Sequence, residues 1–173
     1  MAPTIASLVT PGPILDGVGH SIRHVSEMRD YFADSASVDA IVGAGDREVY
    51  AFWEIEYQGL GNGLSYGMTT VQPGKVGREF HMTKGHYHTT EGDEIYICLE
   101  GQGVVILRNR AGDVKECEMR PGLLIYIDAG WGHRTVNTGT TPLVFVSVWA
   151  PGIEHDYETV RREGYPSILD AEE

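Results

Sequence analysis

The stretch Gly85-His-Tyr-His-Thr-Thr-Glu-Gly-Asp-Glu94 determines how this sequence is interpreted. Its histidines, His86 and His88, stand two residues apart, and on a strand this spacing puts both imidazoles on the same face. Glu94 follows a glycine-containing turn and opens the next predicted strand, so its carboxylate can return beside the two histidines. His133 lies at the start of another predicted strand, after a glycine-rich turn. Three imidazoles and one carboxylate that leave coordination positions open are a usual ligand set for Fe(II), Mn(II), Ni(II) or Zn(II).

The same residues also have a purely structural interpretation. A His-x-His pair occurs on exposed strands that bind no metal, so the pair alone is weak evidence for a site. The combination is stronger, because four suitable donors occur in two glycine-rich segments of one β-rich region. Glu91 and Asp93 lie in the same loop as Glu94, and spacing alone leaves them as competing carboxylates. The residues therefore predict a metal site in which the carboxylate ligand is still to be chosen.

The rest of the chain has the sequence pattern of an all-β protein. From Glu48 onward, short segments rich in Val, Ile and Tyr alternate with turn signals such as Pro73-Gly74 and Gly101-Gln-Gly103. No helical periodicity separates these segments, which favours an antiparallel sandwich or barrel over alternating strands and helices. The predicted strands are Glu48–Tyr57, Leu64–Val71, Glu79–Met82, Glu94–Leu99, Gly103–Arg108, Val114–Met119, Leu123–Ile127, Thr135–Asn137 and Leu143–Trp149.

The segments on either side of the strands are predicted to be less regular. Residues 1–20 are rich in proline and glycine and are expected to form an irregular arm, while apolar residues at helical spacing predict a short helix within 21–32. Residues 33–46 are expected to be a connection, and residues 157–163 one or two helical turns. We expect one structural domain, with an arm and short helix over 1–47, a barrel over 48–157 and a tail over 158–173.

Composition and charge exclude several classes of function. The 173 residues suffice for one domain with its own core, and 25 acidic against 13 basic residues give a net charge of −12. This balance argues against a nucleic-acid partner but not against a small anionic substrate in a locally positive pocket. No apolar run approaches the roughly 18 residues of a membrane span, and no signal peptide is apparent. Cys98 and Cys117 lie outside any CxxC pattern, and we expect a cytoplasmic protein with reduced thiols.

Two segments resemble the paired motifs of the cupins, a superfamily of small β-barrels. They are His86-x-His88-x5-Glu94-x6-Gly101 and Gly122-x5-Asp128-x-Gly130-x2-His133-x3-Asn137. Within the cupins, three stretches resemble the cupin-type glucose-6-phosphate isomerases. They are Pro73-Gly-Lys-Val-Gly-Arg-Glu-Phe-His-Met-Thr-Lys-Gly-His-Tyr-His88, His133-Arg-Thr-Val-Asn137 and His155-Asp-Tyr157. This resemblance runs from about Glu48 to Tyr157. It implies an all-β, single-domain cupin β-barrel of the antiparallel jelly-roll kind, with a short N-terminal helix and arm.

The resemblance also implies which residues carry the chemistry. One divalent metal ion per chain, Fe(II) first and Mn(II), Ni(II) or Zn(II) as alternatives, would be held by His86, His88, Glu94 and His133. The phosphate of the substrate would contact Tyr50, Thr69, Thr83, Gly85 and Tyr157, with His155 near the same end. The catalytic residues would be Glu94, His133 and Tyr96. The sequence departs from the family at Trp149, where a tyrosine is common, so the handling of protons near the reacting carbons is left open.

The implied reaction is the interconversion of D-glucose 6-phosphate and D-fructose 6-phosphate in glycolysis and gluconeogenesis. In one route Glu94 moves a proton from C2 to C1 through a metal-stabilised enediolate, and His133 or Tyr96 assists transfer between the oxygens. A hydride shift is the rival route. Two alternatives belong to other classes: an Fe(II) dioxygenase with the same four ligands, and a non-catalytic sugar-binding cupin. The resemblance further implies a homodimer paired through residues 1–33, although an arm that covers its own barrel fits equally.

Overall fold

Strands dominate the regular structure of the computed structural model, which describes residues 19–55 and 63–170. Within these residues the strands are β1 (Gly19–His24), β2 (Glu48–Ile55), β3 (Ser65–Val71), β4 (Lys75–Val76), β5 (Glu79–Phe80), β6 (Tyr87–His88), β7 (Glu94–Glu100), β8 (Gly103–Asn109), β9 (Val114–Met119), β10 (Leu124–Ile127), β11 (Trp131–Asn137), β12 (Leu143–Trp149) and β13 (His155–Asp156). The helices are a 3₁₀ helix (Ser26–Tyr31), α1 (Ser35–Ala44) and α2 (Tyr157–Glu163). Across the described ranges, no helix has both the length and the apolarity to cross a membrane.

Two antiparallel sheets carry the fold. The larger sheet has the strand order β1-β2-β3-β12-β7-β10, and the smaller has the order β11-β8-β9. All of these pairings are antiparallel, as short strands separated by turns predict. One buried apolar cluster includes Val71, Tyr96 and Phe145 from the larger sheet and Val105 and Val136 from the smaller. The core therefore lies where the apolar faces of the two sheets meet.

The stretch around His86 and His88 pairs with β13 and with the smaller sheet. Strand β6 pairs with β13, which brings His88 opposite His155. An isolated bridge pairs His86 with His133 of β11, and a second pairs Met82 with Val136. Two neighbouring strands of the larger sheet, β7 and β12, meet at the pair Glu94 and Trp149. These pairings bring residues that are distant in sequence to one end of the fold.

The segment before β2 differs from the sequence-based expectation. Residues 21–24 belong to β1, an edge strand of the larger sheet, and the helix is confined to Ser26–Tyr31. The expected connection over 33–46 contains α1, whose N-terminus is capped by the Asp34 side chain accepting from the Ser37 N–H at 3.0 Å. Val38 of α1 is buried, and Ile41 and Val42, three and four residues later, pack against the core, so a short helical pattern lies within the residues expected to be a connection. Residues 1–18, which contain most of the expected arm, lie outside the described residues.

Candidate metal centre and substrate pocket

Four polar side chains converge at the end of the fold where β6, β7 and β11 meet. His86, His88, Glu94 and His133 each offer one ligand atom, and these atoms all lie within 4.8 Å of one another. Backbone hydrogen bonds hold two of the residues together: the His86 N–H donates to the His133 carbonyl at 3.1 Å, and the His133 N–H donates to the His86 carbonyl at 2.9 Å. The cluster is thus built on paired backbone segments rather than on free loops.

The potential ligand atoms of this cluster are buried and lack hydrogen-bond partners among the described residues. They are the Nε2 atoms of His86, His88 and His133 and the Oε2 atom of Glu94. The Glu94 Oε2 atom lies 3.1 Å from His133 Nε2 and 3.5 Å from His88 Nε2. Buried polar atoms are rarely left unpaired, because each loses its hydration without compensation. A cation bound between them would satisfy all four, so the residues fit a metal ion.

Hydrogen bonds and charges influence the tautomer or the protonation state of individual residues in the cluster. The His88 Nδ1 atom lies 3.0 Å from the Gly92 carbonyl, which favours the tautomer whose Nε2 lone pair faces the cluster. Burial and the neighbouring imidazoles hold the pKa of His86 well below its usual range, so its ring is neutral. For Glu94, burial acts to raise the pKa, but His133 and His88 outweigh it and lower the pKa to about 2. His86 therefore offers a neutral imidazole and Glu94 a carboxylate, which are the forms in which these side chains bind a metal ion.

The structure separates Glu94 from the carboxylates that compete with it in the sequence. Glu91 is exposed at the surface. Asp93 accepts hydrogen bonds from the Tyr126 hydroxyl and, at 2.9 Å, from the Ala129 N–H. Glu94 is only 4% exposed and faces the three imidazoles. The carboxylate in the cluster is therefore Glu94, while Asp93 fastens its own loop to the loop before β11.

The cluster opens onto a cavity of about 250 Å³. The cavity wall follows the sheet register: Phe52 pairs with Thr69, Thr69 with Phe145, and alternate residues along β12 face the same way. All residues that the resemblance assigned to phosphate binding line the cavity, namely Tyr50, Thr69, Thr83, Gly85, His155 and Tyr157. Glu94, His133 and Tyr96, which it assigned to catalysis, line it as well. Their roles stay predictions, whereas their convergence is an observation.

Several hydroxyl groups are arranged as donors toward this cavity. The Thr83 hydroxyl oxygen accepts from the Thr135 N–H at 3.0 Å, which leaves the hydroxyl proton available for another acceptor. Burial raises the pKa of Tyr50, so its phenol stays protonated. The Tyr157 hydroxyl lies 3.5 Å from His155 Nδ1. An anionic group in the cavity would therefore meet neutral donors.

His155 and Trp149 bring aromatic character to the same cavity. The His155 ring lies 4.1 Å from the His86 ring and 5.7 Å from the His88 ring, measured between centroids. His155 thus lies directly beside the cluster of four potential metal ligands. Trp149 is 5% exposed, and its ring lies 6.3 Å from that of Phe52. The indole and the phenyl ring give the cavity an apolar wall next to Glu94.

Sequence reasoning missed two cations of the cavity, Arg23 and Lys84. Burial and the charge of Arg23 lower the pKa of Lys84. Arg23 lies in a segment that was expected to be helical, and strand alternation would place Lys84 on the face opposite Thr83. The backbone at 83–85 is not a regular strand, so alternation does not apply there. In a protein with a net charge of −12, Lys84 adds local positive charge to the cavity, and Arg23 adds a second guanidinium that is also ion-paired with Glu27 at 3.4 Å.

Comparison with solved structures identifies the class of protein that this fold and site define. The oxalate decarboxylase of Lactobacillus farciminis matches with a TM-score of 0.54 and 24% identity, over 64% of this chain and 31% of that chain. A mutant of the oxalate decarboxylase of Bacillus subtilis matches with a TM-score of 0.52 and 19% identity, over 62% of this chain and 27% of that chain. These matches concern the fold alone. The chain has the mostly antiparallel β fold of these proteins, which is consistent with a cupin, and the expected fold class is confirmed.

Sequence comparison identifies the family within that class. The family model for glucose-6-phosphate isomerase (GPI) matches residues 22–168, and the chain belongs to this family. The glucose-6-phosphate isomerase of Thermococcus litoralis is 37% identical over 157 residues, which cover 90% of this chain and 83% of the relative. That of Pyrococcus furiosus is 36% identical, with the same coverage. The family resemblance seen in the sequence is therefore confirmed.

Proposed function

We propose that this protein is a metal-dependent glucose-6-phosphate isomerase that interconverts D-glucose 6-phosphate and D-fructose 6-phosphate. One observation carries the proposal: in a chain of this family, four convergent ligand atoms open onto a cavity lined with hydroxyl donors and two cations. A sugar phosphate needs both features, because its hydroxyl and carbonyl oxygens suit a divalent ion and its phosphate suits neutral and positive donors.

The metal site of the proposal consists of His86, His88, Glu94 and His133. Their buried ligand atoms without hydrogen-bond partners support one divalent ion, with Fe(II) proposed first and Mn(II), Ni(II) or Zn(II) as alternatives. When bound, such an ion supplies Lewis-acid polarisation of the sugar carbonyl. The protein itself supplies the orientation of the ligands through the β6–β13 pairing and the bridge from His86 to His133.

The phosphate end of the substrate is proposed to lie against Thr83 and its neighbours. The Thr83 hydroxyl is held by the Thr135 N–H and donates its proton to a phosphate oxygen. Tyr50 and Thr69 contribute further hydroxyls from β2 and β3, and Tyr157 contributes one from the start of α2. The remaining members are the Gly85 N–H and, close to the metal cluster, His155.

Proton transfer is proposed to depend on the side chains between the metal site and the apolar wall. Glu94 takes the proton from C2 of the sugar and returns it to C1. Tyr96 lies on the same face of β7, and its ring meets the His133 ring edge-on at 5.5 Å. These two side chains are proposed to assist proton movement between O1 and O2. Trp149 has no ionisable group, so it shapes the wall and takes no proton.

The proposal extends to the setting of the enzyme. It includes a cytoplasmic protein of glycolysis and gluconeogenesis that forms a homodimer. Strands β1 and β10 are the edges of the larger sheet, and an edge strand offers unpaired backbone groups to a second copy of the chain. The oligomeric state is measured by sedimentation, and a monomer at micromolar concentration would contradict this part of the proposal.

A coupled assay with metal removal tests the proposed activity. The protein is stripped with EDTA, and conversion of fructose 6-phosphate to glucose 6-phosphate is followed before and after addition of Fe(II), Mn(II), Ni(II) or Zn(II). We expect activity to disappear with the chelator and to return with at least one ion. A protein that binds metal but never converts the sugar phosphate would contradict the proposal. Oxygen uptake would then favour an Fe(II) dioxygenase, and sugar binding without turnover would favour a non-catalytic cupin.

A further inference from the structure

Arg134 is a buried cation whose surroundings the proposed chemistry does not explain. It follows the cluster residue His133 on β11, and it is only 2% exposed. Among the described residues, no carboxylate lies within ion-pair distance of its guanidinium group. Glu79, a buried carboxylate in the same region, instead accepts a hydrogen bond from the Ala33 N–H at 2.6 Å. A buried guanidinium without a carboxylate is costly, and an apolar side chain usually suits such a position better.

All hydrogen bonds of the Arg134 guanidinium group go to backbone carbonyl groups, and the group also lies 5.1 Å from the centre of the Tyr165 ring. Its Nη2 and Nε atoms donate to the Lys84 carbonyl at 2.8 and 3.3 Å. Its Nη1 atom donates to the carbonyls of Tyr165 and Pro166 at 3.0 and 3.3 Å. This fork joins the segment before His86 to the C-terminal segment of the chain. A lysine could not reproduce it, because an ammonium group lacks the planar fork of a guanidinium group.

The Lys84 carbonyl belongs to the same peptide unit as the Gly85 N–H. No described peptide bond is cis, so the C=O and N–H of this unit point in opposite directions. The carbonyl points toward Arg134, which lines a second cavity of about 360 Å³ together with Tyr165 and Pro166. Gly85 lines the cavity that holds the metal cluster, and its N–H makes no hydrogen bond with any described residue. Because the carbonyl faces Arg134, the N–H of the same peptide points away from Arg134, and Gly85 lines the substrate cavity.

Gly85 itself is shaped for this contact. Its φ of +72° lies in the left-handed region, where the backbone of residues other than glycine is strained. A Cβ atom at this position would lie 3.0 Å from both the Arg134 Cβ and the His133 carbonyl oxygen. The backbone at Gly85 therefore lies close against Arg134, with little room for a side chain between them.

We infer that Arg134 is a positioning residue: it holds the Lys84–Gly85 peptide so that the Gly85 N–H is aimed at the anionic group of the substrate. The inference rests on the proposed function, since it assigns the donor that Arg134 prepares to the phosphate end of a sugar phosphate. It predicts that Arg134 controls the binding of the anion far more than the chemical step.

Selective isotope labelling observes this peptide directly. The sequence contains one Lys-Gly pair, at positions 84 and 85, so a protein labelled with carbonyl-¹³C lysine and ¹⁵N glycine gives a single carbonyl–amide cross-peak. In the Zn(II)-loaded wild-type protein, inorganic phosphate should move the Gly85 amide proton downfield. In Arg134→Lys the Lys84 carbonyl loses the hydrogen bonds of the guanidinium group, so its ¹³C resonance should move upfield. The phosphate-induced shift of the Gly85 amide proton should also be lost. No phosphate-induced shift in the wild type, or an equal shift in the variant, would overturn the inference.

Kinetics separate this role from a merely structural one. Arg134→Lys and Arg134→Met should raise KM for fructose 6-phosphate and weaken inhibition by inorganic phosphate on the order of tenfold each, with kcat and metal content nearly unchanged. Arg108→Met is the matched control. Arg108 donates to the Tyr87 hydroxyl at 2.7 Å and stacks on Tyr165 at 4.7 Å, but it does not contact Lys84. Its loss should lower stability without raising KM.

The outcomes distinguish the inference from the proposed function. Wild-type turnover of fructose 6-phosphate tests the proposed function independently of any Arg134 variant. If the wild type turns over the sugar phosphate and the Arg134 variants keep its KM, the inference is wrong and the function stands. If Arg134→Met does not fold, Arg134→Lys and the wild-type spectra still decide the question. An equal rise of KM in Arg108→Met would mean that Arg134 acts only through general stability.

Discussion

His81 and His86 stand five residues apart, and each carries a buried ring nitrogen without a hydrogen-bond partner among the described residues. The His81 ring is fully buried, lies 3.2 Å from the Gln72 carbonyl through Nδ1 and packs on Gly74. The His86 ring has the rings of His133 and His155 at 4.3 and 4.1 Å. A single buried ring nitrogen without a hydrogen-bond partner is therefore compatible with simple packing. Several such nitrogens that converge with a carboxylate define a candidate metal site.

The largest difference in activity between the region of His81 and the cluster around His86 should appear when one imidazole is removed from each. His88→Gln should lose the metal ion and lower kcat/KM on the order of 10³-fold, because Lewis-acid polarisation contributes several kcal/mol to the barrier. His81→Gln, the matched control, should keep both. The measurements are metal content by mass spectrometry and steady-state rates. Equal loss of activity in the two variants, with metal retained in both, would remove the distinction.

The next effect concerns the carboxylate that sets the cluster apart from His81. Glu94→Gln should lower kcat by about 10²- to 10⁴-fold if Glu94 is the base, since this is the usual contribution of general base catalysis. Metal content is measured alongside, so that loss of the ion is recognised separately. Asp93→Asn is the control, because Asp93 is a neighbouring carboxylate that bonds Tyr126 instead of the cluster. A Glu94→Gln enzyme with full rate and full metal would favour the hydride shift.

A smaller effect is expected at the phosphate end of the cavity. Thr69 and Thr70 are adjacent buried residues of β3, but only Thr69 lines the cavity. Thr69→Val should raise KM for fructose 6-phosphate on the order of tenfold, through loss of one hydrogen bond to a charged group. Thr70→Val should leave KM unchanged, because the Thr70 hydroxyl is buried without a partner among the described residues. Unchanged KM in both variants would contradict the assignment of Thr69.

The smallest effect on activity, and a clear one on stability, is expected at His81. Burial, followed by the charge of Arg47, lowers the pKa of His81 to about 4 from a usual value of 6.5. The unfolded chain therefore binds a proton more readily than the folded one between these values. The neutral ring contributes about 3 kcal/mol to the free energy of unfolding above pH 6.5, and this contribution is lost as the pH falls toward 4.

Urea unfolding of the wild type and of His81→Gln across pH 4 to 7 measures this contribution. The wild type should lose about 3 kcal/mol more than the variant over this range, because the other titrating groups are common to both proteins. Parallel pH profiles would mean that His81 does not titrate as its burial requires.

The difference between β7 and α1 shows what local sequence patterns predict. In β7, the β-rich composition and the flanking turn signals predict the strand, and period-two spacing predicts that Glu94 and Tyr96 share a face; the structure then shows that this face is the buried one. In α1, Val38, Ile41 and Val42 have the i, i+3, i+4 spacing of a helix and pack on the core, but the small and polar residues on either side make this pattern too short to stand out. The Asp34 cap is recognisable only once the helix is known.

The site shows the same division between local and long-range information. The four donors and their spacing were apparent from the sequence, because donor type and strand alternation are local properties, whereas the cupin fold and the family followed from the resemblance of its motifs to known ones. Arg23, Lys84 and the exclusion of Asp93 were not apparent, since they depend on contacts between segments distant in the chain. The strand start at Trp131 rather than Thr135 likewise depends on pairing with β8, which places His133 inside a paired strand.

Residue chemistry and spacing along the chain were enough to indicate an antiparallel β fold with three imidazoles and a carboxylate near one another, and the resemblance of two motifs indicated a cupin. Folding was needed to choose Glu94 over Glu91 and Asp93, to bring His155 against His86, and to set the Lys84–Gly85 peptide on Arg134. The physical reason is that a strand pattern fixes which face a side chain occupies, whereas the partner across that face comes from another part of the chain. Only the packed fold specifies that partner.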